Sequence, residues 1–114
     1  MDDPRQSRKR NLRIHPDFVA FYASEAQGLA WSNPVLDLSE GGAFLRTSRP
    51  MHPGSTFDVL LTDRLDPVWF RAKATVIWTG RKQRHRGMGI RFDHNRSSLN
   101  SMRLLLNSLD DQRP

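Results

Sequence analysis

Apolar and polar positions alternate with a period of two through most of this chain, and with a period near 3.6 only close to its end. Residues 17–23, DFVAFYA, are aromatic and β-branched enough for a strand, and SEAQG at 24–28 reads as a turn. Residues 29–38 are mixed: Pro34 breaks the run, and VLDL at 35–38 is the predicted strand. Gly41 and Gly42 punctuate the chain before AFLRT, the next strand, and SRPMHPG is a loop with two prolines and a glycine. TFDVLLT alternates as a half-buried strand, and DRLDP at 63–67 turns the chain again. VWFRAKATVIWT at 68–79 forms a long strand with Val68, Phe70, Ala72 and Ala74 on one face and Arg71 and Lys73 on the other. GRKQRHRG then reads as a basic hairpin tip at 80–87, and MGIRFD returns as a short strand. Over 97–109 the period changes: Leu99, Met102, Leu105, Leu106 and Leu109 share one helical face, with Ser97 or Ser98 as the cap. Six strands followed by one helix predict an all-β fold with a terminal helix, a small antiparallel barrel with the helix packed on it.

The 114 residues suffice for one modest core. The expected division is a flexible basic arm over 1–16, a barrel with its C-terminal helix over 17–109, and a tail over 110–114. Nothing apolar ties down residues 1–12, so the expectation is that they are unordered without a ligand. Cysteine is absent, which removes disulfides, thiolate zinc sites and a Cys nucleophile from consideration and fits a cytoplasmic protein. The charged start has no apolar run after it, so no secretory signal is expected, and no apolar run is long enough for a membrane span.

Charge sharpens the functional question. The net charge is +6, from 18 Lys plus Arg against 12 Asp plus Glu. Arg5, Arg8, Lys9, Arg10 and Arg13 crowd the arm, and residues 71–91 hold seven further basic residues with no acid among them. Clustered positive charge implies an anionic partner such as a nucleotide, a nucleic acid or a phosphorylated ligand. An arginine fork grips a guanine O6/N7 edge or a phosphate with two hydrogen bonds, and it stacks on a base.

Between two predicted strands lies LDLSEGG. On a strand, Asp37 and Ser39 share one face. A carboxylate there can accept from a guanine N1–H and N2–H₂ pair, the hydroxyl can donate or accept, and Gly41 and Gly42 allow close approach or a positive φ. The same residues also suit a tight turn in which Asp37 and Ser39 bond only local backbone.

The basic arm, DLSEGG, the long strand ending in VIW and the closing GMGIRF occur in this order. That ordered set resembles the PilZ domain family, over roughly residues 8–109. The family has an RxxxR motif before its first strand and a [D/N]xSxxG motif between its second and third. The second matches in full, from Asp37 through Ser39 to Gly42. At the first, Arg13 takes the second Arg position and Lys9 the first, giving KxxxR. Lysine keeps the charge but loses the fork, a loss of about 1–3 kcal/mol for one bidentate contact. Arg8 and Arg10 flank it, and Arg8 stands where an arginine in the family tends to accompany a stacked ligand pair.

The resemblance implies a six-stranded antiparallel β-barrel with a C-terminal helix. It implies a non-enzymatic bacterial receptor for cyclic di-GMP. Arg8, Lys9, Arg10 and Arg13 would grip the ligand over a wall formed by Asp37, Ser39, Gly41 and Gly42. The folded-down arm would then be read by an unidentified protein effector in motility, surface attachment or exopolysaccharide control. The alternative is a degenerate PilZ adaptor that has lost the nucleotide and acts by protein contact. The leucine face of 97–109 covers one barrel end or packs a second copy as a homodimer. A nucleic-acid-binding barrel using the hairpin at 80–87 ranks below both, since few aromatics accompany it. No cofactor, metal or catalytic set is expected. His15, His52, His85 and His94 lack ligand spacing, and Ser39 is not in a nucleophile elbow.

Overall fold

A computed structural model describes residues 12–13, 18–23, 30–63 and 69–111. Arg8, Lys9 and Arg10, the turn expected at 24–28, all but Asp63 of the turn expected at 63–67, and residues 112–114 lie outside the described residues, and Asp63 ends a strand. The elements in chain order are β1 (Leu12–Arg13), β2 (Phe18–Ala23), β3 (Ala30–Leu38), β4 (Gly42–Arg46), β5 (Thr56–Asp63), β6 (Trp69–Lys82), β7 (His85–Asp93) and a helix, α1 (Arg96–Asp111).

All pairings are antiparallel, in the order β1-β3-β2-β5-β6-β7-β4, and a further β3–β4 pairing closes the six longer strands into a barrel. Closure gives each of the six longer strands a neighbour on both sides for at least part of its length. Inward positions follow the two-residue period: Phe18, Ala20 and Tyr22 on β2, Phe57, Val59 and Leu61 on β5, Phe70, Ala72, Ala74 and Val76 on β6. Met88, Ile90 and Phe92 of β7 join them, as do Met102, Leu105 and Leu109 of α1, which packs on β6. The helix contributes the apolar face that its 3.6-residue period predicts.

The structure corrects four expectations. β3 begins at Ala30 and runs through Pro34. Proline is tolerated because residues 30–34 pair with β2 on one side only, while β4 joins from Val35 onward, so a missing N–H breaks no second ladder. β1 lies inside the stretch expected to be a flexible arm. β2 pairs with β3 only as far as Pro34, and Leu12 and Arg13 take up the same side opposite Leu38 and Asp37. The basic hairpin tip is mostly ladder: Arg81 pairs with Arg86 and Lys82 with His85, leaving Gln83 and Arg84 as the turn. Finally, the helix cap is Asn95, whose Oδ1 accepts from the Ser98 N–H at 2.8 Å while Ser98 Oγ accepts from the Asn95 N–H at 3.0 Å. That reciprocal pair is a capping box.

Candidate functional site

Two β-bulges build the candidate site. On strict alternation Asp37 would share the inward face of Val35, and Trp78 that of Val76. The β3–β4 ladder slips between Val35 and Asp37, and the β6–β7 ladder slips between Val76 and Trp78. Leu36 and Ile77 are the extra residues, so Val35, Leu38 and Val76 stay in the core while Asp37 and Trp78 turn to the outer wall. Re-aiming a side chain is what a bulge does to a strand.

On that wall the partners run in one lateral row: Arg13 opposite Asp37, Asp37 opposite Phe44, Phe44 opposite Gly89, and Gly89 opposite Trp78. Phe44 lies outside the core cluster yet is only 1% exposed, because the Trp78 ring stacks over it at 5.2 Å between centroids and 28° between planes. The indole sits where a Cβ on Gly89 would project, so a glycine on β7 is what lets the ring lie flat. Trp78 remains 38% exposed, and Ile77 beside it is exposed as well.

Asp37 is nearly buried, and its Oδ2 forms an ion pair with Lys82 Nζ from the end of β6. Of the second basic cluster, Arg71, Lys73, Arg81, Arg84 and Arg86 are exposed. Arg91 is drawn to Asp93, whose carboxyl is held below its ordinary range chiefly by the 2.7 Å bond from Thr75 Oγ1 and further by Arg91.

The turn after Asp37 is fastened to α1. β3 ends at Leu38, so Ser39 does not continue the strand; its N–H donates to the Gly42 carbonyl at 2.8 Å and its Oγ donates to the same oxygen at 3.3 Å. Both of these bonds are to local backbone. The Gly41 carbonyl accepts from the Phe92 N–H, and a Cβ on Gly42 would collide with the Ile90 carbonyl of β7. The glycine pair uses no positive φ; among the described glycines, that conformation falls to Gly54 and Gly80. Glu40 meets Arg103 of α1 through two hydrogen bonds of 3.2 and 3.3 Å, which raise the Arg103 pKa. His94 bridges the Glu40 carbonyl oxygen (2.7 Å) and Ser98 Oγ (3.0 Å).

Of the residues predicted from sequence, the structure brings together Arg13, Asp37, Ser39, Gly41 and Gly42, with Arg13 set by strand register. Sequence reasoning missed Lys82, the Phe44–Trp78 stack and the Glu40–Arg103 and His94 links. No local pattern marks them, since each depends on a bulge or on a contact between distant elements. The arrangement offers a neutralised carboxylate, an aromatic surface and surrounding cations, which suits a planar heterocycle with hydrogen-bond donors and attached anionic groups. Among the described residues no cluster of three or more His, Cys, Asp or Glu is placed to hold a metal ion, and no helix is long and apolar enough to cross a membrane.

Comparison with known proteins agrees with this architecture. The PilZ domain profile matches residues 4–110. The structure superposes on YcgR from Escherichia coli in complex with c-di-GMP with a TM-score of 0.76 and 15% identity, covering 92% of this chain and 46% of that one. The chain thus spans about half the length of that protein. The PilZ domain of E. coli YcgR with c-di-GMP gives 0.68 and 20% identity, covering 92% and 93% of the two chains. The PilZ domain of CeSA from a cellulose-synthesizing bacterium gives 0.59 and 22%, covering 89% and 98%. Among curated proteins, none matches the chain in sequence.

Proposed function

The chain belongs to the PilZ domain family, and we propose that it is a receptor that binds cyclic di-GMP against the wall carrying Asp37. The domain is a binding module, not an enzyme. The observation that carries the reading is the register of Arg13 opposite Asp37. It makes the last arginine of the basic arm a cross-strand neighbour of a carboxylate that a bulge turns outward. In this reading Asp37 accepts from the guanine N1–H and N2–H₂ groups. Arg13, with Arg8, Lys9 and Arg10, grips guanine edges and phosphates. Gly41 and Gly42 keep the neighbouring turn flat, and Ser39 holds its shape.

Ligand binding draws the arm onto the wall, and a protein partner reads the resulting surface. The turn is already tied to α1 through Glu40–Arg103 and His94, so a shift at Asp37–Gly42 has a direct mechanical path to the helix. Solved relatives whose structures contain c-di-GMP support the choice of ligand.

Calorimetric titration of the purified chain with cyclic di-GMP tests the reading. A binding isotherm is expected, and Arg13→Ala and Asp37→Ala should each weaken it about ten- to a hundredfold. Absence of heat with excess ligand over tens-of-micromolar protein would overturn the receptor reading in favour of an adaptor that works by protein contact.

A further inference from the structure

We infer that Lys82 is a specificity-determining residue of this site, the partner of Asp37 in a carboxylate–ammonium pair that reads the whole Watson–Crick edge of guanine. The inference rests on the cyclic di-GMP reading above and assigns a role to a residue outside both sequence motifs.

Three observations carry it. Lys82 ends β6, and its Nζ sits on Asp37 Oδ2. The Asp37 side chain is 12% exposed while that of Lys82 is 33% exposed, so the pair is buried on the carboxylate side and open on the ammonium side. The turn that follows is strained: Gln83 and Arg84 both take positive φ, 50° and 71°. Two-residue hairpin turns of this hand are normally filled by Asn and Gly, because other residues pay a steric cost there. A longer, relaxed loop would avoid the strain. The strained turn keeps position 82 in the ladder opposite His85, where its side chain reaches Asp37. Strain retained next to a candidate site is the pattern expected of a held functional group.

The chemistry follows from the ligand edge. Guanine presents O6 as an acceptor beside the N1–H and N2–H₂ donors. A carboxylate takes the two donors and leaves O6 without a partner. With N1–H on Asp37 Oδ2, the ammonium that pairs with that oxygen would stand next to O6, and it has three protons to share between the two oxygens. Adenine reverses the order, with an amino donor where guanine has O6 and an acceptor at N1, so it would set donor against donor and acceptor against acceptor. Lys82 also removes an electrostatic conflict. A nearly buried lone carboxylate would repel the two phosphates of a cyclic dinucleotide, whereas the neutralised pair does not.

The test is titration of wild type, Lys82→Met and Lys82→Arg with cyclic di-GMP and cyclic di-AMP. Circular dichroism shows that each variant is folded. Lys82→Met should weaken cyclic di-GMP about tenfold and shrink the guanine-over-adenine preference by a similar factor, while Lys82→Arg keeps most of both. Unchanged or tighter cyclic di-GMP binding by a folded Lys82→Met protein, with wild type binding normally, overturns the inference alone. It would make Lys82 a bystander or an occupant that the ligand displaces. If the wild-type chain binds neither dinucleotide, the receptor reading falls and this inference falls with it.

Discussion

At the scale of single residues, the two glycines of the Asp37–Gly42 motif are not equivalent. A Cβ added to Gly41 meets nothing within 4 Å, whereas one on Gly42 runs into the backbone carbonyl of Ile90. Backbone cannot swing aside as a side-chain tip can, so β4 and β7 would have to separate. Gly41→Ala should therefore change stability by no more than about 0.5 kcal/mol, the range of ordinary surface substitutions. Gly42→Ala should cost about 1–3 kcal/mol, as overpacking does. Urea denaturation followed by circular dichroism measures both, and equal costs would refute the packing account of Gly42. The same logic applies to Gly87, where a methyl group would meet the Leu45 carbonyl, whereas at Gly89 it would meet the Trp78 side chain. The motif glycines were legible in the sequence as positions of close approach. That strand β7 makes the approach at Gly42 was not, because that neighbour is nearly fifty residues further along the chain.

At the scale of elements, strand faces were readable wherever alternation ran unbroken, as in Phe57, Val59 and Leu61 of β5 and Phe70, Ala72 and Ala74 of β6. It failed at Leu36 and Ile77, where one extra residue reverses the facing of everything after it. Both candidate-site side chains that alternation misassigns, Asp37 and Trp78, directly follow those bulges. Helix α1 was readable from Met102, Leu105 and Leu109, but its cap was misplaced by two or three residues because Ser97, Ser98 and Asn95 are all good caps and geometry chose Asn95. The β6–β7 hairpin was legible at 80–87, but its two-residue turn was not: Gln83-Arg84 carries no turn signature, although the backbone there has the form that Asn-Gly prefers. Replacing Gln83 by Asn and Arg84 by Gly should relieve that strain. The double variant should be more stable by about 1–2 kcal/mol, since one left-handed non-glycine residue costs about that much. A lower denaturation midpoint would mean that the turn is not strained. Losing the cap by Asn95→Ala should in turn destabilise the protein by about 1 kcal/mol in the same assay.

At the scale of the whole molecule, stability depends on pH through groups whose protonation differs between the folded and unfolded chain. At the acid end, Asp93 has its folded pKa lowered, first by Thr75 and then by Arg91. Its contribution is present above the ordinary carboxylate range and fades as pH falls through the lowered value. Because its side chain is more than a third exposed, that contribution is small. At the alkaline end a residue inside the barrel contributes. Tyr22 is 5% exposed and packs on Phe57 at 5.2 Å between ring centroids. Burial raises its pKa above 10.0, and hydrogen bonding with the Thr47 and Asn33 side chains only partly opposes the rise. The folded barrel therefore holds the phenol proton more tightly than the unfolded chain does. The stability tied to that proton is intact below the unfolded value near 10, and it is lost as pH climbs through the raised folded value. A drop in the wild-type melting temperature would not by itself identify the group responsible. Tyr22→Phe isolates the phenol: it keeps the ring against Phe57 and removes the only ionisable atom. Melting temperatures across pH 8–12 should fall more steeply above pH 10 in the wild type than in Tyr22→Phe. Parallel curves would mean that the barrel interior takes no part in the alkaline transition.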